Sequence, residues 1–260
     1  MRNLVKIFCI ATLTFTSGFA LAAEDSDFTV VPGIDLAFKQ SSLHTVFNGV
    51  PEENSLRPSY MTVIPSILLA YGKFYSQLSF DTPLSEYHEI LRTQDGSNFV
   101  YKDRSYLRQE TTLTLGYRVL PALSFFAGAI RGETKVRAVD TRYNGSTTKV
   151  EPNDISFVTR GYFAGLSTSR SFESKGTLAL SAAYTTLSGE LFQGNHKGEE
   201  STFKSNSASG YSTSLSWSGQ MSDSVIYQVG YRYAKYFYDF SVIQIVEPVQ
   251  GVSFGLRKYF

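Results

Sequence analysis

Residues suited to acid–base chemistry are few in this chain. Three histidines, His44, His88 and His196, occur in 260 residues, and two stand beside carboxylates in "SEYHEI" (Glu86, His88, Glu89) and "GNHKGEE" (His196, Glu199, Glu200). A histidine next to a carboxylate can act as a general base or contribute to a metal site. Neither cluster offers a closed ligand set, so no metal and no cofactor is expected. The single cysteine, Cys9, lies in an apolar N-terminal segment. The richer set is a group of charged residues that fall at alternate positions: Asp35, Asp81, Arg108, Glu110, Arg118, Arg131, Glu133, Lys135, Arg137, Arg232 and Arg257. Facing a common interior, they either pair into a closed network or line a water path whose basic excess selects anions.

The elements that must position these charges are strands. In "DFTVVPGIDLAFK", Phe28, Val30, Pro32, Ile34, Leu36 and Phe38 share one parity, and Thr29, Gly33, Asp35, Ala37 and Lys39 the other. The same period of two recurs in "YMTVIPSILLAY", "FYSQLSFDTPL" and "YLRQETTLTLGYRV", the signature of a sheet with unlike faces. In "LSFFAGAIRGETKVRA" the pattern sets Phe126, Ile130 and Val136 against Arg131, Glu133, Lys135 and Arg137, a charged face that belongs either to the lumen or to the part of the strand that rises above the membrane. Counting onward through Phe260 gives ten strands. Short turns are expected near Gly72-Lys73, Leu120-Pro121-Ala122, Glu173-Ser174-Lys175 and 219–223, and longer polar loops at 40–58, 85–104, 139–155, 188–206 and 241–247.

Composition narrows the class. The chain carries 17 Tyr and 20 Phe, only 18% charged residues and a formal net charge of +1. That charge gives no basic surface for nucleic acid, and no nucleic-acid partner is expected. The start, "MRNLVKIFCIATLTFTSGFALAAED", has a basic n-region, an apolar h-region and Ala20-Leu21-Ala22, so residues 1–22 read as a cleaved signal peptide. Residues 23–260 then form one domain. An exported, tyrosine-rich chain of alternating segments points to an all-β transmembrane barrel, antiparallel and up-and-down, with ten strands or alternatively eight or twelve. A soluble sandwich or ligand-binding barrel would invert the two faces. It leaves the aromatic strand ends and the rhythm of short and long connections unexplained.

The last residues, "GVSFGLRKYF", resemble the C-terminal signature of outer-membrane β-barrel proteins of Gram-negative bacteria. Val252, Phe254, Leu256 and the terminal aromatic Phe260 occupy its apolar positions, and Gly255 its glycine. Lys258 stands where that family usually has an apolar residue. The resemblance implies recognition by the barrel-assembly machinery and residence among outer-membrane lipid and lipopolysaccharide, as a monomer. Tyr71, Phe74, Tyr117 and Trp217 sit at expected strand ends and suit an interfacial aromatic girdle. Hairpins such as "LTLGYRVLPALSFFAGAIRGETK" are similar to those of small porin-like outer-membrane proteins.

These readings favour a narrow channel for ions or small, anionic solutes. The alternative is a non-conducting binding or structural barrel whose loops meet lipopolysaccharide, a host surface or phage. Enzymatic use is not expected, and an omptin-like protease at the rim is the least favoured of the three readings. Omptin proteases, ten-stranded barrels, use an Asp-His pair at the rim, and the Asp-x-His spacing is absent here because position 194 is Gly. Outer-membrane phospholipases set histidine on a strand, whereas all three histidines here fall in expected loops.

Overall fold

The computed structural model describes residues 28–47, 50–51, 56–95, 98–144, 147–172, 175–194, 200–205, 207–240 and 243–260. The expected signal segment lies outside them. In chain order the strands are β1 (Phe28–Ser41), β2 (His44–Phe47), β3 (Val50–Pro51), β4 (Ser59–Tyr71), β5 (Phe74–Pro83), β6 (Tyr87–Asp95) and β7 (Asn98–Leu120). They continue as β8 (Leu123–Asn144), β9 (Thr147–Ser171), β10 (Thr177–Gly194), β11 (Glu200–Lys204), β12 (Ser207–Ser222), β13 (Val225–Asp239) and β14 (Ile243–Lys258).

Ten of these, β1, β4, β5, β7, β8, β9, β10, β12, β13 and β14, pair antiparallel with their neighbours, and β14 returns to β1. The barrel is therefore closed, as the ten-strand expectation requires, and no edge is left in the ring. One cross-strand ladder gives its stagger. It runs from Gly33 through Ser66, Ser79, Thr112, Ile130, Gly161, Leu187, Ala208, Tyr238 and Ile245, and re-enters the first strand's continuation at Thr45. A shift of 45 − 33 = 12 residues over ten strands fits a strand tilt of about 40°.

The two ends of the barrel differ. At one end the chain turns tightly, at Gly72-Lys73, where Gly72 takes a φ of 55°, at Pro121-Ala122 and at Asp223-Ser224. Such a φ costs a glycine little and other residues more. The expected turn at 219–223 moves outward because Gly219 stays in β12, and of Glu173-Ser174-Lys175 the first two residues lie outside the described ones. At the other end the expected loops contain further strand. β6 pairs the outer part of β7, β11 the outer part of β10, and β2 the start of β14, while β8 and β9 stay paired as far as Asn144 and Thr147. The sequence of these extensions carries no clear apolar alternation to separate them from loops.

Alternation decides what faces where. Phe28, Ile34, Leu36, Phe38, Met61, Ile67, Leu69, Phe80, Leu113 and Leu115 are exposed on the outer wall, whereas Asp35, Thr62, Gln77, Ser79, Asp81 and Thr112 are buried inside. This is the inverse of a water-soluble fold, in which apolar side chains avoid the surface.

Candidate functional site

The interior is packed in three levels. Near the turn end Val31, Leu68, Tyr75, Phe126 and Phe163 fill the bore. Glycines make room for the rings: Phe126 lies across Gly165 on β9, and Phe163 across Gly128 on β8. Near the hairpin end Tyr60, Tyr106, Phe157, Tyr236, Tyr238 and Phe240 form an aromatic layer, with ring centroids 5.5 Å apart for Tyr60–Tyr106 and 5.4 Å for Phe157–Tyr238.

Between these layers the charged residues meet. Arg108 donates to Glu247 at 2.5 Å, to Glu110 at 3.2 Å and to the Thr134 hydroxyl at 3.1 Å. Its guanidinium lies over the Tyr236 ring, 5.2 Å from the centroid. Arg232 bonds the other Glu110 oxygen at 3.4 Å and the Tyr236 hydroxyl at 3.3 Å. The Tyr106 hydroxyl donates to Glu247 at 3.0 Å, and Lys39 pairs with Asp81. Three cations and three carboxylates are thus balanced in one buried cluster. The space left among Lys39, Arg108, Glu110, Arg232, Tyr236 and Val249 is about 10 Å³, room for one water at most.

A separate pair closes the seam between β1 and β14. Arg257 Nη2 meets both Asp35 oxygens, at 2.6 and 2.9 Å. Asp35 stands opposite Gly255 and Arg257 opposite Gly33. Each charged side chain lies flat across the facing glycine, and a side-chain carbon at Gly255 would collide with the Asp35 carboxylate. Gly255 therefore has a packing reason of its own.

Six of the eleven charged candidates lie buried in the lumen: Asp35, Asp81, Arg108, Glu110, Arg232 and Arg257. Arg118 is half-buried at the turn end. The lumen assignment fails for Arg131, Glu133, Lys135 and Arg137, which lie on the outer face of β8, while Phe126, Ile130 and Thr134 turn inward. The cause is the aromatic filling of this wall: when the lumen holds Phe126 and Ile130, apolar character no longer separates inside from outside. Arg160 and Arg170 also point outward. Lys39, Tyr106, Tyr236 and Glu247 complete the cluster and were not singled out by spacing. Glu247 escapes notice because Pro248 follows it, and proline within a strand pattern argues against a central strand.

At the turn end Tyr71, Phe74 and Tyr117 are exposed on the outer wall, Phe74 at 62%, and the Phe74 and Tyr117 rings lie 4.9 Å apart. Trp217 is half-buried against Phe172. Phe254, Leu256 and Phe260 are also exposed, and Lys258 covers the Phe260 ring at 4.8 Å.

His44 and His88 stay apart from all of this. His44 is hydrogen-bonded to Ser42 at 2.8 Å, and His88 lies 3.8 Å from Glu86 on the exposed β6. Nearby, burial and then the Glu89 carboxylate raise the Tyr87 phenol above its usual pKa. Among the described residues no group of three or more metal-ligating side chains occurs, and His196 and Glu199 lie outside them.

No protein-family model matches the chain, and neither does any curated protein. Solved structures do. The outer-membrane protease OmpT of Escherichia coli aligns over 92% of this chain and 99% of its own, at 13% identity and a TM-score of 0.67. The translocator domain of the autotransporter NalP from Neisseria meningitidis aligns over 92% and 90%, at 10% identity and a TM-score of 0.42. Neisserial surface protein A aligns over 91% and 100%, at 15% identity and a TM-score of 0.39. At 13% identity the first likeness concerns the fold alone: this chain has the ten-stranded, closed antiparallel architecture of an outer-membrane β-barrel.

Proposed function

We propose that the protein is an integral outer-membrane barrel with a sealed lumen, a rigid support for the β-hairpins at one end. The observation that carries this is the charge pairing across the bore. Lumen charges that are open to water would be hydrated and would attract mobile counterions. Here each cation of the cluster contacts a carboxylate, and the aromatic layer lies over them. An anion entering would have to displace Glu247 from Arg108 and Tyr106 at once. The basic excess that favoured a channel disappears once the four outward residues of β8 and the half-buried Arg118 are set aside, because the six buried candidates are three cations and three carboxylates.

Insertion in a bilayer follows from the outer wall. Only closed barrels and helices satisfy every backbone group in lipid, and an exposed apolar belt rimmed by aromatics matches a membrane's thickness and interfaces. On this reading the turn end faces the periplasm, residues 1–22 direct export, and Tyr71, Phe74, Tyr117, Trp217 and Phe260 occupy the inner girdle. Phe254, Gly255, Leu256 and Phe260 serve the assembly machinery, and the barrel is monomeric. The hairpins formed by β2–β3, β6–β7, β8–β9 and β10–β11 stand outside the cell and are the surface available to partners.

Proteoliposome swelling tests the sealed lumen. Vesicles carrying the refolded protein should swell in small sugars or anionic solutes no faster than protein-free vesicles. Swelling that depends on protein dose and solute size would overturn the proposal.

A further inference from the structure

On the outer wall Arg131 of β8 stands directly opposite Arg160 of β9. Both side chains are exposed. Neither guanidinium has a hydrogen-bond or ion-pair partner among the described residues. Like charges opposed across an antiparallel pair repel, since such side chains start only about 5 Å apart. Nearby acids do not relieve this: Glu133, two residues along β8, is held by Lys135 at 2.9 Å. The pair borders a surface cleft of about 570 Å³ whose walls include Leu113, Ala129, Tyr162 and Ser188.

The position of the pair defines its ligand. Arg131 lies 131 − 122 = 9 residues above the β7–β8 turn, and Arg160 lies 172 − 160 = 12 residues above Phe172 near the next turn. At about 2.5 Å of axial rise per residue in a tilted strand this is about 23–30 Å, the height at which an apolar band about 25 Å tall ends. Below the pair the wall is apolar: Leu113, Leu115 and Leu166 are exposed, and Tyr162, 76% exposed, stands at the boundary. Above it lie Lys135, paired with Glu133, and Arg137, which faces Asp154 across the ladder, so among the described residues the unpaired cationic groups at the boundary are Arg131 and Arg160. Cationic groups above an apolar wall match an amphiphile with an anionic head and hydrocarbon tails. Two guanidiniums side by side suit a phosphate, whose oxygens accept paired N–H donors.

We propose that Arg131 and Arg160 form a lipid-binding site on the outer wall, which holds the phosphate of a membrane-lipid headgroup while its acyl chains lie along Leu113 and Leu166. The site rests on the membrane reading above. Its test uses the full-length exported protein in detergent, examined by native mass spectrometry with three probes: phosphatidic acid, the matching diacylglycerol and inorganic phosphate. The wild type should retain phosphatidic acid and not diacylglycerol. R131Q/R160Q should weaken retention by about tenfold or more, as expected for loss of charge-assisted hydrogen bonds. R170Q, which removes an exposed arginine at the turn end, should leave it unchanged. Equal retention of the two lipids, an equal loss in R170Q, or displacement of the lipid by an equal concentration of inorganic phosphate would each overturn the site. Flotation with phosphatidylcholine vesicles scores insertion independently. Floating protein without phosphate preference overturns this site only, and protein that fails to float overturns the membrane reading and the site together.

Discussion

Glu247 is fully buried and accepts from both Arg108 and Tyr106. Removing one member of such a pair leaves an uncompensated charge, which costs about 3–5 kcal/mol, whereas replacing both by apolar groups costs far less. Glu247→Leu alone should therefore lower stability by about that amount, read as a shift in urea unfolding of the protein in detergent. The double variant R108L/E247L should recover a large part of the loss. Additive losses would mean that the two groups do not act together. The sequence reveals half of this cluster. Arg108 and Glu110 stand out because they interrupt "YLRQETTLTLGYRV" on its polar parity. Glu247 and Lys39 acquire meaning only when β14 closes on β1 and brings residues about two hundred positions apart into register.

At the scale of elements, the facing of β8 is the point on which sequence and structure part. β1, β5 and β7 show one largely apolar and one largely polar parity, and the inference from sequence to lumen holds for them; β4 is apolar on both, with Tyr60, Ile64 and Leu68 buried inside. In β8, Phe125, Ala127 and Ala129 alternate with Phe126, Gly128 and Ile130, so hydrophobicity cannot choose between the faces. What decides is the pairing with β9, which seats Phe126 over Gly165 and Phe163 over Gly128. Cysteine labelling checks the result, because the only native cysteine is Cys9. R131C and K135C should react quickly with a soluble maleimide in folded protein, and T134C, fully buried, only after unfolding; the opposite order would restore the lumen assignment. The seam offers a second check. Gly255→Ala must displace Asp35 from its place across β14, and overpacking of this kind costs about 1–3 kcal/mol. Its effect should show as a lower unfolding midpoint; an unchanged midpoint would mean that Asp35 has no need of the glycine.

For the whole molecule, ten strands were legible because alternating segments recur along the chain, weakly in the Gly-, Ala-, Ser- and Thr-rich strands, and the tight turns alternate with longer polar connections. The hairpin extensions were not, because their segments show no apolar alternation that separates them from polar loops. Their stability comes from ladder pairing, while the barrel is held by closure and by the filled bore. Trimming the β8–β9 hairpin beyond Ala138 and Asn153 should therefore leave the barrel able to fold, seen as retained heat-modifiable mobility on electrophoresis. Loss of folding would show that the hairpin belongs to the core. The sealed bore itself is tested most directly by planar-bilayer recording of the purified wild-type protein. A lumen closed by Arg108, Glu110, Arg232 and Glu247 beneath an aromatic layer predicts a baseline without unitary steps, at either polarity. Reproducible steps with a preference for anions would contradict it and return the protein to the class of narrow channels.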